Sequence, residues 1–362
     1  MPNFDLSNLA LKAVCPNNEI LYDDKGMPSI MVKVPKMTYA QVGLGSSPAT
    51  LPAFIINGSE VPHIYISKYQ NIIKNGRAYS LPGQDPATGI NFENAAAACT
   101  AKGSGWHLMS RAEWAAIALW CKANATLPYG NNDYGKDSRE TIYKAIPTLI
   151  DSGTGKINRV ATGTGPLTWS HDRTLSGIWD LNGNISEWVG GIRTVYGELQ
   201  ILANNNAADS AKSQLVGSLE WKAIDGTTGE LVTPNGTGTT TNSLKLDWLT
   251  NHWEWITGAV TDVSGTNHYC EFESITAHSS VGDAAKLLLQ ALGLFKYDET
   301  GGAYEGDVFY ADVAQAERLF FCGGHWSSGA ISGVFYAFGY YTRTSTFNNL
   351  GFRSAFVTLP PA

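Results

Sequence analysis

Helix-forming signals are confined to three short segments of the 362-residue chain, and long glycine-, asparagine- and threonine-rich stretches separate them. Asn91 precedes an alanine-rich run that stops at Gly103, and Ser110 with Glu113 three positions later has the spacing of a capping box. Residues 283–292 (DAAKLLLQAL) form the third helical pattern, with a glycine directly behind them. Because so few helices are indicated, we predict an α+β fold with long loops.

The apolar periodicity predicts which side chains of these elements face the core. In the second and third helices we expect the inward residues to be Trp114, Ile117, Ala118, Cys121, Leu287, Leu288, Ala291 and Leu292. Alternation predicts strands at 30–34 and within 61–69. In the second of these strands Ile64 and Ile66 share one face, and Tyr65 lies on the other.

Composition excludes several classes of protein. Charged residues make up 16% of the chain, and 40 Trp, Tyr and Phe residues can fill a sizeable core, so wholesale disorder is excluded. The net charge is -7, the pI is near 5.5, and no Lys/Arg run is present. We therefore expect no nucleic-acid partner.

Targeting and redox signals are weak. No apolar run approaches the roughly 18 to 20 residues that span a bilayer, so no membrane insertion is expected. The first 15 residues lack a basic start and a clean apolar stretch, and Val14 precedes Cys15 where a lipoprotein signal needs a small residue. The five cysteines include no CxxC pair, so we expect buried thiols rather than disulfides or a thiolate zinc site.

Familiar catalytic spacings are absent from the sequence. It contains no GxxxxGK[ST], HExxH or GxSxG motif, and no GxGxxG behind a strand. Ser170, His171 and Asp172 are only neighbours in sequence, whereas a catalytic triad is defined by spatial geometry. Glu254 stands between two tryptophans without a second carboxylate at a defined spacing, so packing explains it better than glycoside hydrolysis.

Three sequence blocks together carry a recognisable pattern. They are GWHLMSRAEW at 105–114 followed by YGN at 129–131, GIWDLNGNISEWVG at 177–190, and the stretch from GGHWSSG to GFRSAF at 323–356. In this order they resemble the formylglycine-generating-enzyme-like (sulfatase-modifying-factor) branch of the C-type lectin fold. The resemblance implies a lectin-like domain at 28–362, an N-terminal segment at 1–27 that serves assembly, an insertion at 197–317 and a variable region at 323–356.

The chemistry of formylglycine-generating enzymes does not carry over to this chain. The resemblance implies a copper-binding cysteine pair shortly before GFR, but residues 327–350 contain no cysteine and Cys322 stands alone ahead of the block. Because that chemistry needs thiolates as metal ligand and nucleophile, we expect the oxidase reaction to be lost. Sulfoxide-synthase relatives need a preceding helical bundle, for which residues 1–27 are too short. We therefore expect a binding module rather than an enzyme, with a formylglycine-type metal-dependent oxidase as the alternative.

The last block is similar to the variable region of diversity-generating-retroelement proteins, whose C-terminal segment is rewritten by adenine mutagenesis of template codons. Asn codons that end in a pyrimidine, mutated at their first two bases, never give Lys, Glu, Gln, Met or Trp. From Gly323 to Asn349 the chain has no Lys, Glu, Gln or Met, and its one Trp is the framework Trp326. A low-charge composition is the alternative explanation of this absence.

Residues 320–356 hold 11 of the 40 aromatic residues, and many of those in the variable region recur two apart. On an extended segment this spacing places them on one face, where rigid rings and small hydroxyl residues can make a binding surface. A buried β-strand is the alternative explanation. The predicted ligand-binding residues are His325, Ser327, Ser328, Ile331, Tyr336, Phe338, Tyr340, Tyr341, Ser345, Phe347 and Asn348. Arg353 is expected to anchor the framework through hydrogen bonds.

Asn184 and Glu187 match positions where some relatives place a calcium ion. A hydrogen-bonded core turn packed by Trp179 and Trp188 explains the same residues, and with one carboxylate we predict no metal and no cofactor. The EPN and QPD sugar-binding motifs of animal C-type lectins are absent.

The sequence thus predicts a diversified binding protein of a retroelement. By family analogy its partner is a protein or glycan receptor on a target cell, it forms a homo-oligomer, and it is displayed on a phage tail or a bacterial surface. An undiversified structural or adhesin domain is a third interpretation. The sequence itself does not fix the ligand or the location.

Overall fold

The computed structural model describes residues 6–361, so residues 1–5 of the predicted N-terminal segment lie outside the described part. Its α-helices are α1 (Leu6–Val14), α2 (Phe92–Thr100), α3 (Arg111–Ala123) and α4 (Asp283–Ala291). The strands of the first half are β1 (Asn18–Tyr22), β2 (Pro28–Pro35), β3 (Ile55–Ile56), β4 (Ser59–Glu60), β5 (His63–Ser67), β6 (Ile72–Lys74), β7 (Arg77–Tyr79), β8 (Trp106–Leu108), β9 (Pro147–Ile150), β10 (Ile157–Val160) and β11 (Ser186–Val195). Those of the second half are β12 (Glu198–Leu202), β13 (Trp221–Ile224), β14 (Leu231–Val232), β15 (Lys245–Leu249), β16 (His252–Ile256), β17 (His268–Glu271), β18 (Thr276–Ala277), β19 (Val308–Ala311), β20 (Arg318–Cys322), β21 (Ala337–Tyr341), β22 (Leu350–Phe352) and β23 (Ser354–Phe356).

Two sheets organise the chain. The first has the strand order β1-β2-β5-β23-β8, so a strand near the end of the chain completes a sheet begun near its start. The second has twelve strands and runs β17-β19-β21-β20-β11-β12-β15-β16-β18, with β13, β14 and β22 attached to its side. The predicted strands at 30–34 and 61–69 correspond to β2 and β5, which pair antiparallel.

The two helices with polar caps begin where the sequence predicts. The Asn91 side chain accepts the N–H of Asn94 at the start of α2. At the start of α3 the capping box is complete, because Ser110 accepts from the N–H of Glu113 while the Glu113 carboxylate accepts the N–H of Ser110. Local side-chain chemistry is enough to fix such starts.

Helix α4 is where predicted, but its inward face is shifted. Ala285 and Leu289 are fully buried, together with Ala291 and Leu292, whereas Leu287 and Leu288 are only half-buried against the core. Leu287 and Leu288 thus pack against the core from its edge, and Leu289, which was not in the predicted set, is the fully buried leucine. A run of three leucines gives no periodicity of its own, so the neighbouring strands decide which leucine is buried.

The predicted N-terminal segment enters the first sheet. β1 pairs antiparallel with β2 over five residues, so the predicted boundary at residue 27 falls in the turn of a hairpin. Helix α1 precedes this hairpin and buries none of its residues. Residues 18–27 are thus part of the domain.

The predicted insertion, residues 197–317, extends the second sheet. Its first strand, β12, continues the hairpin from β11, and its last, β19, pairs parallel with β21. The largest core cluster joins Ile117 of α3 to Leu246 and Trp253 of this segment and to Leu289 of α4. The segment therefore shares the core of the domain.

Among the described residues, no helix is long and apolar enough to cross a membrane. The five cysteines are all free and buried, as the sequence predicts.

Candidate functional site

The predicted variable region contributes β21 to the middle of the second sheet. β21 lies between β19, which runs parallel to it, and β20, which runs antiparallel. β22 follows and pairs parallel with the start of β11. Scaffold strands therefore hold the region on both sides.

The entry to the region is fixed by its two glycines. Gly323 and Gly324 have φ of +86° and +68°, in the left-handed region that favours glycine. A Cβ on Gly324 would lie 2.1 Å from the Ser332 hydroxyl, which donates a hydrogen bond to the Gly323 carbonyl at 2.7 Å. The Trp114 indole N–H also donates to the Val334 carbonyl at 2.8 Å, so α3 holds the far end of the loop.

A row of aromatic rings lies along these strands. We call the rings of Tyr269, Tyr310, Phe338, Tyr341 and Phe347 the aromatic face. Successive ring centroids in this order are 4.8, 4.6, 5.4 and 4.5 Å apart. Tyr269 is 56% exposed and the other four are half-buried. Stacked rings of this kind offer large contact area with little conformational freedom to lose.

A β-bulge sets which rings stack. Leu319 pairs with Tyr341 and Phe321 pairs with Phe338, so β21 has one more residue than β20 between the two pairs. The extra residue brings Phe338 and Tyr341, three apart in sequence, onto the same side, where both stack on Phe321. The predicted two-residue alternation of the rings is therefore wrong at this point, and Tyr340 meets Tyr341 edge-on.

One predicted ligand-binding residue is buried. Tyr336 is 4% exposed, and burial raises the pKa of its phenol well above the ordinary value. It precedes β21 and lies beneath the aromatic face, 5.9 Å from the Tyr310 ring and 6.2 Å from the Phe338 ring. Tyr336 thus supports the face from below, and its place in the binding set stays a prediction.

The other predicted residues lie on the loops around the face or on β21. Ser327 and Asn348 are exposed, and His325, Ser328, Ile331, Phe338, Tyr340, Tyr341, Ser345 and Phe347 are half-buried. Ile331 packs against the same core cluster as Phe338, Tyr341 and Phe347, which brings the first loop to the strand. The backbone N–H of His325 donates to the Ser328 hydroxyl at 2.9 Å and closes that loop. Their role in binding stays a prediction.

Two rings of the face are absent from the predicted set. Tyr269 and Tyr310 belong to the segment predicted as an insertion, on β17 and β19. They sit opposite each other in an antiparallel pair and continue the row that begins at Phe338. The alternation in HYCE and VFYA could have indicated half-exposed strands, but not their position beside β21.

The variable region contributes no unpaired charged side chain to the surroundings of the aromatic face. Its two charged residues are Arg343 and Arg353. Arg343 is 8% exposed and binds both carboxylate oxygens of Glu317, at 2.7 and 2.8 Å, and Glu93 at 3.1 Å. The exposed part of the region therefore presents rings, hydroxyls and amides.

Arg353 anchors the framework, as predicted from the sequence. It is fully buried and binds both oxygens of Glu187 at 2.7 Å. It also donates to the carbonyls of Ser67 at 2.9 Å and Trp179 at 3.0 Å. This one side chain, between β22 and β23, thus joins β11, β5 and the loop before β11.

The same contacts decide between the two interpretations of Asn184 and Glu187. The Asn184 side-chain oxygen Oδ1 accepts the Val160 N–H at 2.9 Å, and the side-chain Nδ2 donates to Gln70 Oε1 at 2.9 Å. Arg353 occupies both oxygens of Glu187. These residues fit the hydrogen-bonded core turn, and they offer no free oxygen to a calcium ion.

Asp307 is a buried carboxyl group beneath the loop that leads to β21. It accepts the Phe335 N–H at 2.7 Å and lies against Gly333, where a Cβ would be 2.2 Å from the carboxylate. Burial, followed by the charge of Glu305, raises the pKa of Asp307 to about 8, although hydrogen bonds from the backbone and the charge of Arg139 act the other way. The carboxyl group is therefore mostly protonated in the folded chain at neutral pH.

This protonation predicts a pH dependence of stability. Between the ordinary pKa of 3.8 and about 8 the folded chain keeps a proton that the unfolded chain releases. Stability therefore falls as pH rises through this window, by at most about 1.4 kcal/mol per pH unit. In Asp307→Asn that contribution to the slope should vanish in urea unfolding measured from pH 5 to 8. The control Asp283→Asn, at an exposed carboxylate, should keep the slope; equal slopes in both variants would contradict the assignment.

The residues that were rejected as catalytic candidates from the sequence have structural roles. His171 Nδ1 accepts the Ile178 N–H at 2.8 Å, and burial lowers the pKa of His171 to about 4. Ser170 instead donates to Asp172 at 3.0 Å, so the three do not form a relay. Trp253 and Trp255 on either side of Glu254 are fully buried in the main core.

A sequence comparison finds a family match for part of the chain. A family model described as "Sulfatase-modifying factor enzyme 1-like domain" matches residues 53–200. Residues 53–200 are therefore similar to domains of this type. It is the branch that the sequence resembles, and the prediction of an α+β chain with a formylglycine-generating-enzyme-like, C-type lectin fold is confirmed. The match ends at residue 200, next to the predicted start of the insertion at residue 197.

Three solved structures resemble the chain over most of its length. "Structure of PvdO from Pseudomonas aeruginosa" is 14% identical, with coverage of 93% of this chain and 97% of that one and a TM-score of 0.38. "Treponema denticola variable protein 1" is 11% identical, with coverage of 94% and 98% and a TM-score of 0.33. "Major Tropism Determinant P3c Variant" is 11% identical, with coverage of 94% and 71% and a TM-score of 0.29. A comparison with curated proteins finds no match.

The copper chemistry of formylglycine-generating enzymes does not fit the residues of this chain. Cys322 is fully buried, and burial raises the pKa of its thiol. Its sulfur accepts a hydrogen bond from Arg111 at 2.9 Å. Within residues 6–361, no group of three or more His, Cys, Asp or Glu side chains could hold a metal ion.

Proposed function

We propose that the chain is a diversified ligand-binding protein whose aromatic face and adjoining loops contact a receptor. The observation that carries the proposal is the division of the variable region into two sets of residues. Trp326, Phe335 and Arg353 are buried in the framework, whereas Phe338, Tyr341 and Phe347 are half-buried on a scaffold of neighbouring strands. Substitution of the second set can change the surface while the framework stays intact.

The chemistry of the face suits recognition of varied partners. Its rings supply rigid apolar contact, and Thr342, Thr344 and Ser345 supply adaptable hydroxyls beside them. Because no exposed charge of the region must be matched or desolvated, a change of partner requires only a change of shape and hydrogen bonding. The receptor in this proposal is a protein or a glycan on a target cell.

Display and assembly follow from the same proposal. A loosely specified single site binds weakly, and several copies on a phage tail or bacterial surface raise the overall affinity through avidity. The proposed assembly segment is the part of residues 1–27 that precedes the first sheet. Helix α1 in this segment exposes Leu6, Leu9 and Val14, which leaves apolar surface for a neighbouring copy.

Binding is proposed instead of catalysis because the ligand set of the oxidase is incomplete. The alternative, a formylglycine-type metal-dependent oxidase, requires a stoichiometric copper ion and turnover of a cysteine-containing peptide. Metal titration followed by assay on such a peptide distinguishes the two. Stoichiometric uptake with turnover would overturn the binding proposal.

A display library tests the proposed surface without knowledge of the natural receptor. We would randomise seven positions with pyrimidine-ended codons: Ser327, Phe338, Tyr340, Tyr341, Ser345, Phe347 and Asn348. Selection against a purified lysozyme should yield folded variants with dissociation constants of about 1 μM or below, since a rigid aromatic surface of varied shape supports such affinities.

A matched control library shows whether the position of the variation matters. It randomises as many exposed positions around β1 and β6, including Tyr22, Met27 and Ile73. We expect few or no binders from it at the same affinity cut-off. Equal success of both libraries, or failure of the first library to yield folded binders, would contradict the proposal.

A further inference from the structure

Behind the rings of the aromatic face lies a pocket of about 120 Å³. Phe338, Tyr341 and Phe347 form part of its wall, and the scaffold residue Ser186 lines it as well. At about 30 Å³ for each water-sized group, the pocket has room for about four such groups. It is therefore large enough for one side chain or one substituent of a ligand.

Ser186 is the unusual member of this wall. Ser186 is 1% exposed, and its hydroxyl oxygen has no hydrogen-bond partner among the residues that the structure describes. The backbone around it is satisfied, since the Ser186 N–H donates to the Asn349 carbonyl at 2.8 Å. A buried hydroxyl without a partner costs free energy, and a ligand atom that hydrogen-bonds to it recovers that cost.

The pocket favours a neutral group. Its lining includes no Asp, Glu, Lys or Arg. Burial lowers the pKa of His325, which also lines it, to about 4, so this imidazole is neutral at pH 7. A charged group would lose its hydration there without meeting an opposite charge.

The stacking of the rings argues against a cation cage. The Phe338 ring is parallel to within 8° to Phe321 and to within 7° to Tyr341, at centroid distances of 4.8 and 5.4 Å. Tyr310 stacks on Phe338 at 4.6 Å as well. Because these rings turn their faces to one another, few faces remain to attract an ammonium group.

From these observations we infer that the pocket is a subsite for one neutral ligand group with an apolar body and a hydrogen-bonding tip that reaches the Ser186 hydroxyl. The inference rests on the proposed binding function and adds the chemical class that the surface accepts. An aliphatic alcohol, as in a short hydroxylated side chain, has this chemistry. Ser186 lies before the variable region, so this contact would stay constant while the rings around it change.

Three probes of similar shape and different charge test the inference. We would titrate the protein with 2-methyl-1-propanol, with isobutylammonium and with isobutyrate at pH 7, and follow the aromatic ¹H–¹³C signals of Phe338 and Tyr341 by NMR. The alcohol should give saturable shifts with a dissociation constant on the order of 10 mM. The two ions should bind at least about tenfold more weakly.

Ser186→Ala separates the hydrogen bond from the apolar contact. The variant should weaken alcohol binding about three- to tenfold. Its melting temperature should not fall by more than about 2 °C, since the hydroxyl has no partner in the folded chain. Ser46→Ala, at an exposed position outside the pocket, is the matched control and should leave alcohol binding unchanged.

Each contrary result overturns the inference. In the titrations, the contrary results are tighter binding of either ion than of the alcohol and absence of saturable shifts with the alcohol. In Ser186→Ala, they are an unchanged affinity for the alcohol and a marked loss of stability, which would show that the hydroxyl has a structural partner. Alcohol binding together with failure of the display library would overturn the proposed function alone. A successful library without alcohol binding would overturn the subsite alone.

Discussion

Replacing Arg353 by methionine should lower the free energy of unfolding by about 3–5 kcal/mol or prevent folding altogether. Methionine keeps much of the length of the side chain but removes its donors. Glu187 would then be a fully buried carboxylate without its partner, and two backbone carbonyls would lose a donor. Urea unfolding followed by tryptophan fluorescence measures the loss.

Two further variants show whether burial of the ion pair causes the effect. Lys36→Met breaks an exposed pair with Glu60 and should cost less than about 1 kcal/mol. Adding Glu187→Leu to Arg353→Met removes the stranded carboxylate, so the double variant should recover part of the lost stability. A loss in Arg353→Met no larger than in Lys36→Met would contradict the anchoring role.

The second large effect is the difference in stability loss between removal of a buried ring and removal of half-buried rings. Tyr336→Ser should cost about 3–5 kcal/mol, because it removes a buried ring from beneath the aromatic face. The triple variant Tyr340→Ser, Tyr341→Ser and Phe347→Ser should cost less than about 2 kcal/mol in total, because these rings are only half-buried. Thermal unfolding followed by circular dichroism compares the two.

The order of these two losses is the decisive result. If the triple variant unfolds more easily than Tyr336→Ser, the three rings are part of the core and the buried-strand interpretation of the region is correct. If Tyr336→Ser costs as little as the triple variant, the ring is not a support of the face. Both outcomes would remove the separation of framework from surface on which the proposed function depends.

Features that depend on local chemistry could be predicted from the sequence. The starts of α2 and α3 follow from Asn91 and from the Ser110–Glu113 box, because the capping bonds are made within four residues. The anchoring role of Arg353 also follows, through its place in the GFR motif. The burial of all five cysteines agrees with the absence of any paired spacing.

Features that depend on partners distant in the sequence could not be predicted from it. Nothing within residues 336–341 indicates the bulge, because it is a mismatch with β20, and the bulge decides that Phe338 and Tyr341 share a side. The pairing of β19 with β21, which brings Tyr310 to the aromatic face, joins residues about 30 positions apart. Alternation alone also could not tell that Tyr336 lies below the face, since its burial comes from the strands beside it.

The central claim is that the exposed residues of the variable region are rewritten while its framework is kept. Sequencing the DNA for residues 323–356 and its surroundings in many sister isolates tests this most directly. We expect a near-copy of the last coding stretch that differs almost only at adenines, beside a reverse-transcriptase gene. The isolates should differ at codons for exposed residues such as Ser327 and Asn348, with Trp326 and Arg353 constant. Identical sequences in all isolates and no near-copy would contradict the claim.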